Sequence, residues 1–231
     1  MSGGDSSLAS SLTDLMTSLA VIFILLLVAS LNNIHQEQET AVNSLQVILD
    51  KVLADFRRVG VEVRRDPKDP LVLFVIVPEN LFNFAFDKAD IPLEGVQFLQ
   101  QFAPKLVRQI CKDQLREKVA SVLVEGHADP IGPYKAKLDV SQRRASSVVV
   151  KSVEILQSHQ AAGASVDLSG CFGGLVSASG RGDAEPVLNS EGKKDHDASR
   201  RVIFKIRIRS FEQKFADILG GSSPTAIRVD R

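Results

Sequence analysis

Between Leu12 and Leu31 the chain reads LTDLMTSLAVIFILLLVASL, with one charged residue, Asp14, and neither proline nor glycine. About twenty residues at a rise of roughly 1.5 Å each span the roughly 30 Å hydrocarbon layer of a bilayer. No other stretch of the sequence has this character. An ionised Asp at mid-helix costs roughly 2.5–3.5 kcal/mol on insertion scales, so such residues are rare and face protein or water. Asp14 is therefore a functional candidate. The plainer alternative makes it an N-terminal cap at headgroup depth. Ser6–Thr13 is short and uncharged, and as added helix it would draw Asp14 inward by two turns.

A cleaved signal peptide fits this segment poorly, because MSGGDSSLASS has no Lys or Arg and the apolar run exceeds the usual length of roughly 7–15 residues. A retained anchor is the expectation. Neither flank is strongly basic, so the positive-inside rule leaves orientation open. The 28 basic and 28 acidic residues balance, which excludes a polybasic nucleic-acid binder. Cys111 and Cys171 are expected to be buried free thiols, with a disulfide as the alternative. The four His are scattered and no Cys-x-x-Cys occurs, so no metal site is expected. An enzyme is not expected either, since no nucleophile–base pair or phosphate loop is present.

Beyond a polar stretch at 32–40, Val42, Leu45, Ile48, Leu49, Val52, Leu53 and Phe56 recur at three- and four-residue steps, the stripe of an amphipathic helix ending near Gly60. This stripe packs on a partner copy or on the chain's own soluble domain, and the pattern leaves both open. Val61–Arg65 and Leu71–Val77 read as strands around the turn-rich DPKDP, and the continuous LVLFVIV suits a sheet centre. Residues 92–118 read as helix, Val119–Val124 as strand, and 139–158 as a second helix. Ser165–Gly170 and Ser177–Gly180 read as strand pieces, and Glu185–Ser199 as a polar loop. Val202, Phe204, Ile206 and Ile208 alternate as in a half-buried strand over Arg201–Arg209. From Gly220 onward the tail is expected to be disordered. This order predicts an α+β chain: one N-terminal transmembrane helix, then an α/β sandwich with helices on one face of a mixed sheet. The divisions are a short N-terminus at 1–11, the membrane helix at 12–31, a linker at 32–60, the domain at 61–210 and a tail at 211–231.

Five segments of this domain, FAFDKADIPLEG, VEGHADPIG, VSQRRASSVV, SGRGDAEP and SRRVIFKI, follow one another as in the OmpA-like peptidoglycan-binding domain, which they resemble over roughly 61–210. The resemblance implies that Asp129 and Arg144 bind the diaminopimelate of the wall peptide, and that Arg200 is a third contact. The chemistry suits that ligand: a carboxylate meets its ammonium and a guanidinium fork its carboxylate. The alternative is that Asp129 and Arg144 pair with each other and brace the fold. Lys137 stands where the family commonly has Asn, and an ammonium donates hydrogen bonds but accepts none. Ser199 likewise replaces an Asn. His127, in the same turn, is read as a strand-end hydrogen-bonding residue.

The T-D-L-M-T-S segment ahead of the apolar run resembles the MotB stator family. With Val28-Ala29-Ser30-Leu31 it resembles in particular the stator-like subunits of Zorya anti-phage systems. The short linker favours that branch over flagellar stators. What this resemblance implies is a homodimer inside a pentameric MotA-like ring (the ZorA-type subunit in Zorya). The chain would cross the inner membrane once, with the N-terminus cytoplasmic and the domain periplasmic, bound to peptidoglycan. Asp14 would be the ion-carrying group, with Thr17 beside it, moving H⁺ or Na⁺ and needing no cofactor. Cytoplasmic effectors would be reached indirectly and nucleic acid not at all.

Overall fold

The computed structural model describes residues 4–82, 84–85, 88–128, 131–161, 167–210 and 213. The chain divides into two units, Met1–Thr40 and Ala41–Arg231.

Helix α1 (Gly4–Val52) contributes to both. Leu12, Leu15, Met16, Leu19, Phe23 and Leu26 all point outward on its first part. Its most apolar window has a mean hydropathy of 2.4, with none of it buried. Among the described residues it is the one helix long and apolar enough to cross a membrane. So wide an apolar surface is unfavourable in water.

From Ala41 the helix belongs to the soluble domain. Ala41, Val42, Leu45 and Leu49 are buried there, followed by Leu53 and by Phe56 in a 3-10 turn over Ala54–Val59. Gly60 ends the turn at φ 95°, a left-handed conformation that costs a glycine nothing. Phe56 meets Phe98 and Phe102 edge-on at 5.7 Å. The stripe thus packs on the chain's own domain, and the boundary falls after Thr40, where the sequence suggested 60.

The domain is built on a mixed sheet of β1 (Glu62–Arg65), β2 (Val72–Pro78), β7 (Arg201–Ile208), β3 (Val119–His127) and β4 (Val176–Gly180), in that spatial order. Only β3 and β4 are parallel, and α4 (Tyr134–Ala161) makes the crossover between them. Val202, Phe204, Ile206 and Ile208 are buried as their alternation requires, with Phe204 5.3 Å from Phe102 of α2 (Leu93–Ile110). A short α3 (Asp113–Arg116) follows.

Three expectations are corrected. The stretch read as a strand at Ser165–Gly170 is instead, within the described residues, the helix α5 (Leu168–Gly173), started by Asp167, whose carboxylate accepts the Gly170 N–H at 2.8 Å. The Glu185–Ser199 loop contains a small hairpin, β5 (Val187–Leu188) with β6 (Lys194–Asp195), and a short α6 (His196–Ser199). Cys111 and Cys171 are not free: they form a disulfide, with Cα atoms 6.2 Å apart. Packing of α5 against the end of α2 brings together two residues 60 positions apart. Most of the tail, including all of it from Gly220, lies outside the described residues.

Closing a loop of that length stabilises by about 4 kcal/mol in the chain-entropy account. Replacing both cysteines by serine is therefore expected to lower the unfolding free energy of the detergent-solubilised chain by about 2–4 kcal/mol, read by urea titration. A loss below about 1 kcal/mol would remove the cross-link from the domain's main supports.

Candidate functional site

The first turns of α4 are fastened to the ends of β3 and β4. A Cβ at Gly126 would stand 2.2 Å from the Ser141 carbonyl oxygen, and one at Gly180 2.4 Å from the Gln142 nitrogen, so only glycine admits the helix. The Ser141 hydroxyl accepts the Gly182 N–H at 2.9 Å, and Gln142 Oε1 accepts the Gly180 N–H at 2.6 Å. One turn on, this places Arg144 at the wall of a cleft of about 1130 Å³, whose lining includes Pro78, Glu79, Phe84, Ile131, Lys137, Arg144, Asp197 and Arg200.

Arg144 is nearly buried. Its Nε donates to the Lys88 carbonyl at 3.0 Å and its Nη2 to the Ala85 carbonyl at 3.3 Å. Nη1 forms an ion pair with Glu79, and the guanidinium lies 4.9 Å above the Phe84 ring. Glu79 follows directly on β2, and its N–H donates to the Arg200 carbonyl at 3.2 Å. Its second carboxylate oxygen stands 2.8 Å from Arg200 Nε, a charge contact without good hydrogen-bond alignment. Arg200 also pairs with Asp197. Lys137 Nζ donates to Asp183 at 2.6 Å, and that hydrogen bond holds the Asp183 carboxyl below its ordinary value.

The structure brings Arg144 and Arg200 to the same cleft through Glu79, a residue the sequence reading missed. Glu79 sits in PEN after a strand, with no motif to mark it. Asp129 lies outside the described residues. The bracing partner of Arg144 among the described residues is Glu79, together with the two backbone carbonyls. Lys137, in the place of the family Asn, is engaged with Asp183.

His127 departs from its expected role. It is buried at the end of β3, yet among the described residues neither ring nitrogen has a hydrogen-bond partner, and Nε2 is 3.6 Å from Glu125 Oε2. Glu125, His127 and Glu185 offer ligand atoms within 4.8 Å of one another, a spacing on the scale of a metal site. Lys205, however, stands 2.6 Å from Glu125, and the Arg201 charge lies close enough to act on Glu185, so these carboxylates already have cations. Burial pushes the His127 imidazole below its ordinary value. Burial alone would raise the Glu125 carboxyl, but His127 and Lys205 outweigh it and hold it low.

In the first unit, Asp14 lies about three turns inside α1, which starts at Gly4, so it is not an N-cap. It shares a shallow hollow of about 520 Å³ with Ser10, Ser11, Thr13 and Thr17. The Thr17 hydroxyl donates to the Thr13 carbonyl at 2.6 Å, one turn back along the helix.

Over 214 residues the chain is 23% identical to Zorya protein ZorB of Escherichia coli, covering 85% of this chain and 86% of that one. The chain resembles the MotB/OmpA-like proteins and stands close to ZorB. Outer membrane protein A of Serratia odorifera is 32% identical over 131 residues, 57% of this chain and 45% of that protein. The chain thus spans less than half the length of that relative. No family model matches. A crystal structure of a MotB-like protein from Desulfovibrio vulgaris superposes with a TM-score of 0.53 at 17% identity, covering 74% of this chain and 99% of that one. The soluble domain accordingly has the MotB/OmpA-like fold.

Stability should fall in mild acid. Below about pH 6.5 an unfolded His127 binds a proton that the folded, buried ring refuses, so the unfolded state gains protons and stability drops as pH falls. Glu125 and Asp183, held low, lose their contribution only below the ordinary carboxylate range. Denaturant unfolding between about pH 7.5 and about pH 5.5 is expected to show this loss, and His127→Gln to abolish most of it. An undiminished loss in the variant would assign the acid sensitivity to another group.

Proposed function

We propose that this chain is an ion-driven stator subunit anchored to peptidoglycan, working in anti-phage defence of the Zorya type. The observation that carries this reading is the similarity to ZorB along most of both chains. The arrangement of polar groups supports it. A carboxylate well inside an exposed apolar helix has no structural use there, and the domain carries an arginine-lined cleft suited to an amino-acid ligand.

In this mechanism α1 crosses the inner membrane, with the N-terminus cytoplasmic and the domain periplasmic. The disulfide agrees with an oxidising compartment. Two copies stand inside a pentamer of a MotA-like (ZorA-type) partner. Ionised Asp14 is disfavoured against hydrocarbon, so protonation lets it face apolar surroundings and deprotonation draws it towards water or polar groups of the ring. Each elementary charge crossing the membrane releases roughly 2.3 kcal/mol per 100 mV, enough to drive stepwise rotation when repeated. The proton is the preferred ion, with Na⁺ the other candidate. Outside, Asp129, Arg144 and Arg200 hold the wall peptide so that the dimer stays fixed while the ring turns, and cytoplasmic effectors respond to the ring.

Two experiments test the two halves. Asp14→Asn mimics the protonated state permanently, and protection against phage in cells carrying the partner genes is expected to drop at least tenfold in plating efficiency. Protection equal to the parent chain would leave a passive tether or a different trigger. Asp129→Ala with Arg144→Ala is expected to abolish co-sedimentation with purified peptidoglycan sacculi while the thermal melt remains cooperative. Undiminished sedimentation by the folded variant would move the wall contact to another surface.

A further inference from the structure

Three cations line the cleft, and each is held by a carboxylate of the same chain. Arg144 is held by Glu79, Arg200 by Glu79 and Asp197, and Lys137 by Asp183. Among the described residues these groups are three positive and three negative charges, so the basic residues named here are balanced by the carboxylates that hold them. Uncompensated guanidinium groups take phosphates and other polyanions readily, because their fork matches oxyanion geometry. Glu79 removes that attraction from both arginines at once, with one oxygen facing each.

Glu79 is also fixed in place. Its side chain is 12% exposed, Arg144's is 10%, and its N–H is tied to the Arg200 carbonyl at the end of β2. Swinging it out would break its ion pairs with two guanidinium groups at once, one of them nearly buried, which is unfavourable. Glu79 is therefore a permanent part of the wall, unlike a carboxylate that an incoming anion could displace.

We infer that Glu79 is a specificity-determining residue, which makes the cleft accept a zwitterion bearing an ammonium and a carboxylate on one short chain, and reject polyanions. The identity of the natural ligand rests on the wall-peptide reading above, and the inference deepens it. Diaminopimelate in a stem peptide is such a zwitterion, whereas the phosphate-bearing headgroups beside a membrane are not.

The test titrates the full chain in detergent with two probes, inorganic pyrophosphate and a soluble muropeptide containing diaminopimelate. The parent chain is expected to show no saturable pyrophosphate binding in the low millimolar range. Glu79→Gln, nearly isosteric and neutral, is expected to bind pyrophosphate at least tenfold more tightly, with affinity falling as salt is raised. Adding Arg200→Gln to that variant restores neutrality and is expected to erase the gain. Should Glu79→Gln fail to fold, Asp197→Asn keeps the test open, because that carboxylate is exposed and its loss leaves the core untouched. Its expected gain is about threefold, since it uncovers only one edge of Arg200. Folded variants with no gain for pyrophosphate would overturn the inference and leave Glu79 a brace. The muropeptide arm reports separately: a parent chain that ignores it sinks the wall-peptide reading, while the pyrophosphate gain bears on Glu79 alone.

Discussion

At Gly126 and Gly180 the first turns of α4 lie against bare backbone, closer than any side chain on the sheet would permit. This contact sets the depth at which α4 sits, and with it the position of every residue on its first turns. Ser141 and Gln142 use their side chains to bond the β4 end of the sheet, and so cannot face the cleft. Arg144, three residues after Ser141, is left to reach across to Glu79, just past β2, and to the Ala85 and Lys88 carbonyls. A methyl group at either glycine would push the helix outward and separate Arg144 from Glu79. The candidate site is thus a consequence of backbone packing before it is a matter of charge.

Buried charge in this domain is handled in the same way twice. Around the cleft, Glu79 lies between two arginines. Near the ends of β3 and β7, Glu125 meets Lys205 while Arg201 sits beside Glu185, whose carbonyl it also bonds at 2.9 Å. Each buried ion has an opposite charge on a neighbouring element, which is what makes its removal from water tolerable. Burial keeps the His127 ring neutral, and an imidazole ordinarily titrates closer to neutrality than a carboxylate, so His127 is the group expected to set the onset of acid sensitivity.

The sheet was legible because its strands carry strong patterns: a continuous apolar run in β2 and clean alternation in β7. The helices α2 and α4 were legible in kind, though α4 begins earlier than its apolar stripe, since Tyr134–Leu138 is mostly exposed. What local pattern could not carry was long-range. Nothing near Cys111 announces Cys171, and nothing in PEN announces two arginines arriving from α4 and from the residue just before β7. The destination of the amphipathic stripe in α1 was equally hidden, because a periodicity of three and four specifies a face and not the surface that covers it. α5 was misread for a different reason. It is short, and its start depends on a single capping carboxylate, Asp167, where a strand-like composition stands just upstream.

The Cys111–Cys171 bridge ties the far end of α2 to a helix that follows some sixty residues later, so it closes only once α2 and α5 have been made and brought together. On the proposed placement outside the inner membrane, the sulfur lock would be added there by an oxidant, on top of a noncovalent core. Copies kept in a reducing compartment would lack it and remain the softer form, more open to proteases.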